Sequence, residues 1–365
     1  MTLSPDTTRA WIDVDLGALV ANACTLATVS GGRLLPMVKA NGYGLGAVEV
    51  ARALESLDPW GYGVATVEEG AALRSAGIAR PILVASPLLP GATEPYLAHD
   101  LRPAIGDAEA LVEWCQRTSR PFHLELDTGM NRAGVPWDDE HELAAVRALL
   151  ADAPGFEGVF THFHSADSDP PSVDVQWNRF EGLLAALPRR PALVHAANSA
   201  AALRGRRYAG DLVRPGIFLY GGAAGGPEPL PVAAFRARVL AIRTVSAGET
   251  VSYGATWRAG HPTRVATIAA GYADGFPRAA GNAHSDARPP RLIEIGGRTV
   301  PVVGRVTMDM TMIGVEDGSV AVGDVATLYS GVVSLDQQAG AAGTISYELL
   351  TGIGSRVPRR YRRAP

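Results

Sequence analysis

A chain of 365 residues, 47% of them hydrophobic, is long enough to bury a sizeable core and to divide into two or three domains. Its formal charge of −4, with no long basic run, argues against a nucleic-acid surface, because neutralising phosphates needs clustered cations. The two cysteines, Cys24 and Cys115, are too few for a disulfide framework, and no apolar stretch is long enough to span a bilayer. The opening MTLSPDTTRA lacks a basic region followed by an apolar core, so the expectation is a cytoplasmic protein acting on a small molecule.

The segment WIDVDLGALVANACTL comes first and is expected to precede the main repeat and pair elsewhere. After it, apolar β-rich runs alternate with amphipathic ones, the pattern of a parallel sheet with crossover helices. The predicted strands are LLPMVKA ending at Ala40, WGYGVAT at Thr66, PILVAS at Ser86, LRPAI at Ile105 and PFHLELD at Asp127. FEGVFTHF ending at Phe163, ALVHAAN at Asn198 and LVRPGIFLYG at Gly221 complete eight. Eight strand–helix units predict an α/β fold, an N-terminal (β/α)8 TIM-type barrel over residues 1–230. Past the turn-rich GGPEPLP the texture shifts to short strands and glycine turns, which predicts a mostly-β C-terminal domain over residues 231–365. Within it, GNAHSDARPP reads as an exposed loop and DQQAGAAGTISYELL as a helix.

Lys39 is the only lysine in the chain. Arginine can stand in for lysine on a solvated surface, but a guanidinium stays protonated and cannot act as an amine nucleophile. Lys39 closes the first predicted strand, where barrels build their active sites. Arg132, His162, His164, Asn198, Ser199 and Arg214 fall at or near the ends of later strands, and Gly216 lies on the eighth, where barrels commonly hold a phosphate. An amine beside a phosphate site suggests pyridoxal 5′-phosphate (PLP). Other readings stand beside this one: Ser199 as a helix cap, Arg132 and Arg214 as ion-pair partners, and Tyr253 as a strand aromatic. A metal site at His162 and His164 with Asp167 and Asp169 has only His195 as an obvious further ligand.

The chain resembles alanine racemases in PMVKANGYGLG from Pro36, DTGMNRAGV from Asp127, THF from Thr161 and HAANSAA from His195. VRPGIFLYG from Val213, VSYGATW from Val251, GYADGFPR from Gly271 and GRVTMDMTMI from Gly304 extend the resemblance across nearly the whole length. It implies a homodimer with shared active sites that interconverts L- and D-alanine, supplying D-alanine for peptidoglycan. It also implies that Lys39 bonds PLP covalently, that Tyr43, Ser199, Gly216 and Ile217 hold the phosphate, and that Arg214 faces the pyridine nitrogen with support from His195. Arg132 would position the surroundings of Tyr43 or the substrate carboxylate. Racemisation needs a base on each face of the α-carbon, and the second is implied to be Tyr253 of the partner subunit, aided by a hydrogen bond to His162. The partner would also bring Met308 and Asp309 to the entrance.

Two departures stand out. Where relatives often carry a carbamylated lysine this chain has Glu125, a permanent carboxylate expected to orient Arg132. Where many place a phosphate-binding tyrosine it has Ser355, whose shorter hydroxyl makes a weaker contact; Gly314, where an acid is frequent, has no functional reading. The rival readings are a serine-type or broader amino acid racemase, a barrel PLP decarboxylase and a noncatalytic PLP-binding protein. The decarboxylase calls for a cysteine-bearing motif in the second domain, and the binding protein for a barrel alone.

Overall fold

The computed structural model describes residues 7–280, 291–315, 318 and 320–362. The predicted GNAHSDARPP loop, residues 281–290, lies outside the described residues. Eight parallel strands form the barrel: Arg33–Leu34, Tyr62–Val64, Ile82–Pro87, Arg102–Ile105, Phe122–Asp127, Phe156–Phe160, Leu193–His195 and Leu212–Val213. The last returns to the first through Leu212↔Arg33 and Val213↔Leu34. A parallel bridge between Met37 and Gly63, with Val38 N donating to Gly63 O at 2.8 Å, joins the first to the second and closes the ring.

The crossover helices follow their sequence signals. Asp107, Asp139 and Thr66 cap the helices Ala108–Arg117, Glu140–Ala151 and Val67–Ser75 by accepting from backbone amides in the first turn. In the second of these Leu143, Val146 and Leu150 are buried on one face, each contributing roughly 1.5–3 kcal/mol of apolar burial.

The first segment behaves as its position implies. Ala10–Asp15 runs antiparallel to Ala233–Val245 and parallel to Arg359–Arg362, so the first and last described strands share one sheet outside the barrel. Ala233–Val245 is the spine of that β unit, pairing also with Thr263–Ile268 and Val325–Tyr329.

Three expectations need correction. The first and eighth strands are only two residues long, so Lys39 stands beyond the first strand and Gly216 precedes a 3-10 turn, Ile217–Tyr220, instead of lying on the eighth. Pro36 and Pro215, which lack an amide to donate to a ladder, stand just past those strands. The predicted helix DQQAGAAGTISYELL is two helices, Leu335–Ala342 and Ser346–Thr351, because Gly343 ends the first in the left-handed region at φ 71°.

Candidate active site

Lys39 opens a turn that few sequences adopt. Ala40, Asn41, Gly42, Tyr43 and Gly44 all have positive φ, between 51° and 79°, and make one left-handed helical turn. For the three non-glycine residues this costs on the order of 1–2 kcal/mol each, so the fold must hold it. Gly42 N donates to Val38 O, Gly44 N to Ala40 O, and Asn41 Oδ1 accepts from Ala47 N. Glu69 accepts from both Ala40 N and Ala65 N. The turn aims Lys39 and Tyr43 into one cavity of about 600 Å³, with Tyr43 stacked on Tyr220 at 4.5 Å between centroids.

The same cavity gathers Glu125, Arg132, His162, Ser199, Arg214, Gly216 and Ile217 from the ends of four other strands. Asn198 caps the short helix Ser199–Leu203, and Ser199 Oγ accepts from Gly216 N at 2.8 Å. A Cβ on Gly216 would stand 2.3 Å from the Tyr43 hydroxyl, so only glycine lets that phenol approach the backbone. Ile217 begins the following 3-10 turn, whose first amides have no partner within it.

Arg214 is buried and heavily bonded. Nη1 donates to His195 Nδ1 at 2.9 Å and His195 O; Nη2 donates to Thr161 O at 2.7 Å, Ala196 O and His162 Nδ1 at 3.2 Å. Among the described residues its Nε has no such partner. Burial lowers its pKa to about 10, against the pull of Glu125, so it remains a cation at neutral pH. Burial, with the charges of Arg214, Arg132 and Lys39, lowers His162 to about 3. A neutral His162 that accepts at Nδ1 carries its proton on Nε2. Lys39 is also lowered, by burial and by Arg132 and Arg214 against the opposing Glu69.

Glu125 is buried in the cavity wall, its Oε2 has no partner among the described residues, and burial raises its carboxyl to about 7 despite Arg132 and Arg214. The Arg132 amide is tied to Asp127 Oδ2. Ser355, expected at the phosphate, is exposed and does not line the cavity. The helix Ser346–Thr351 ends before it, and Tyr347 and Thr351, one helical turn apart, take the wall instead, with Tyr347 tilted against Tyr43 at 5.9 Å. Their i,i+4 spacing in SYELLT was the signal that could have found them. His195 reaches the site only through Arg214.

Tyr253, Met308 and Asp309 do not line this cavity. They share a second hollow of about 770 Å³ on the β unit. Tyr253 sits on a turn between the paired strands Thr250–Val251 and Trp257–Arg258 and is 69% exposed. Ser252, at φ 68°, pins that turn by donating to Arg305 O at 2.7 Å. Asp309 pairs with Arg356 at 2.6 Å, which also holds the buried Asp274. The metal reading of the sequence finds no support in geometry: His162 bonds Arg214, exposed His164 bonds Ser165 Oγ, and among the described residues no group of three such side chains could hold an ion.

Residues 14–224 match the alanine racemase N-terminal domain and residues 232–361 the alanine racemase C-terminal domain. An alanine racemase of Symbiobacterium thermophilum is 41% identical, with 96% of each chain covered. The crystal structure of alanine racemase from D-cycloserine producing Streptomyces lavendulae is similar at a TM-score of 0.89 and 31% identity, covering 100% of this chain and 99% of that one. That of Bartonella henselae alanine racemase with covalently bound pyridoxal phosphate matches at 0.89 and 30%, covering 97% and 100%. A sole lysine on a strained turn, facing a donor-only arginine in a barrel mouth, is thus found in a chain that belongs to the alanine racemase family.

Proposed function

We propose that this enzyme interconverts L- and D-alanine with pyridoxal 5′-phosphate on Lys39, each site being completed by a second copy of the chain. The observation that carries the reading is the unpartnered Nε–H of buried Arg214 in the cavity of the sole lysine, since a pyridine nitrogen is a fitting acceptor for it. The residues present fit the cofactor: Ser199, Gly216, Ile217 and Tyr43 converge as a phosphate cradle, and the helix Ser346–Thr351 adds the hydroxyls of Tyr347 and Thr351 to the wall where Ser355 was expected. When bound, PLP supplies the electron sink that acidifies the α-carbon.

The chain's own groups do the rest. Arg132 offers its guanidinium to the substrate carboxylate. Lys39 Nζ, a neutral amine when not bonded to the cofactor, takes or returns the α-proton on one face. Tyr253 of the partner subunit exchanges the proton on the other, and the His162 Nε2–H is placed to donate to its oxygen when that proton is gone. Arg214 would hold the ring as a hydrogen-bond donor without giving up a proton, which would limit the electron sink and so the side reactions. No helix of the described residues is long and apolar enough to cross a membrane.

Incubation with a panel of L-amino acids in deuterium oxide tests this. Alanine should lose optical rotation and gain α-deuterium; loss of carbon dioxide, or no exchange at all, would overturn it. Equal or faster turnover of serine would move the assignment to a broader racemase. Gly216→Ala should weaken PLP binding by the apoenzyme at least about tenfold, roughly 1.4 kcal/mol, with circular dichroism unchanged. An unaltered Kd removes the phosphate cradle.

Glu125→Gln should raise the KM for alanine about tenfold, because the Glu125 charge acts on Arg132 through the low-dielectric cavity wall and not through a direct hydrogen bond. Because the carboxyl titrates at about 7, the KM of the parent should fall as pH rises through neutrality, and that slope should vanish in the variant. Identical turnover, KM and pH profile in both proteins would show that Glu125 does not position Arg132.

A further inference from the structure

Behind Arg214 a line of buried polar groups crosses the barrel to its opposite mouth. Arg214 Nη1 meets His195 Nδ1 at 2.9 Å, His195 Nε2 meets His123 Nδ1 at 2.8 Å, and His123 Nε2 meets Glu157 Oε2 at 3.1 Å. Arg102 Nε donates to the same Glu157 oxygen at 2.6 Å. Both imidazoles are fully buried, while Glu157 and Arg102 keep some solvent contact at the starts of their strands. None of these groups past His195 touches the site.

The chemistry of the two ends dictates the direction of the line. A guanidinium only donates and a carboxylate only accepts, so His195 Nδ1 must accept from Arg214 and His123 Nε2 must donate to Glu157. With each ring neutral, one arrangement satisfies all three contacts: both imidazoles protonated at Nε2. Burial lowers both histidines despite the pull of Glu157 on His123, which keeps them neutral. Packing fixes the rings as well. Phe160 stacks on His195 at 5.0 Å and 10°, Trp60 tilts against His123, and a Cβ on Gly158 would stand 2.5 Å from His123 Nδ1, so glycine is what admits that ring.

We propose that Glu157, acting through His123 and His195, is a positioning residue for the racemase: it sets the tautomers that keep an acceptor against Arg214 Nη1 and so fix the guanidinium in the cavity wall. Without an acceptor-only group at the far end, the reversed arrangement would set an N–H of His195 against an N–H of Arg214. The proposal rests on the PLP reading of the cavity, but only in what Arg214 faces.

Nitrogen-15 spectra of histidine-labelled protein, with and without PLP, give the direct test. Both rings should be neutral and protonated at Nε2 at pH 7; a charged ring or an Nδ1–H on either overturns the relay. In the holoenzyme, Glu157→Gln should lower kcat about tenfold, by analogy with the loss when a partner that orients a metal-ligating histidine is removed, with KM for alanine held and the PLP absorption band displaced. Glu157→Asp, which keeps an acceptor-only group, should recover part of both. Gly158→Ala, which pushes on the His123 ring without altering charge, should displace the band likewise. A Gln variant with parental kcat and spectrum refutes the role. Failure of borohydride to fix a pyridoxyl group on Lys39 would instead refute the cofactor reading, and the tautomers of the cofactor-free protein would still decide the relay.

Discussion

Lys39→Ala should lower racemisation by more than about 10³-fold, because it removes at once the covalent anchor and one of two bases. Borohydride reduction of the PLP-loaded protein followed by peptide mapping provides the second measurement. The parent should carry one pyridoxyl group, on the peptide containing Lys39, and the variant none. The absence of any other lysine makes this unusually clean, since no neighbouring side chain can capture the aldehyde in its place. Lys39→Arg should be as inactive as the alanine variant, for a guanidinium retains the charge and forgoes the neutral amine. Burial, Arg132 and Arg214 depress the amine against the pull of Glu69, so capture of PLP by apoenzyme should rise with pH and level off below the ordinary lysine value of 10.5. Labelling of a residue other than Lys39, or a Lys39→Ala protein that still racemises, would dismantle the mechanism.

Much of the barrel was legible because its strands are continuous apolar runs and its helices carry caps and one-sided faces. Phe122–Asp127 coincides almost residue for residue with PFHLELD. The misjudged ends have one cause: a run such as LLPMV, Leu34 to Val38, is apolar throughout because it is buried, and burial persists after the ladder stops. The left-handed turn after Lys39 could not be read, since Ala40 and Tyr43 have no intrinsic preference for positive φ and are held there by Val38, Glu69 and the Tyr220 ring. The same applies to His123. In FHLELD the alternation places His123, Glu125 and Asp127 on one side of the strand, yet only the fold reveals that a histidine from another strand meets the first, while Oε2 of the second has no partner among the described residues. Tyr347 was missed for a different reason: the family pattern drew attention to position 355, whereas the wall of the cavity is built one helix earlier.

Tyr253→Phe should show whether two chains share each site. Tyr253 does not line the cavity of Lys39 but stands in a separate hollow with its side chain in solvent, so its phenol can serve that cavity only from a second chain. Removing the hydroxyl should lower racemisation by about 10²–10⁴-fold, the usual worth of a general acid or base. Lys39 would still work on its own face. One enantiomer of alanine should therefore acquire solvent deuterium without inversion, while the other stays inert. This separates loss of a base from loss of binding, which would abolish exchange for both. Coexpressing Lys39→Ala with Tyr253→Phe supplies the decisive arm. In a mixed dimer one site receives Lys39 from one chain and Tyr253 from the other, so random pairing should restore about a quarter of parental activity from two nearly inactive proteins. If each chain builds its site alone, every site in the mixture lacks one base and no activity returns. That outcome would leave the barrel cavity intact and require the second base to be sought among residues of the same chain.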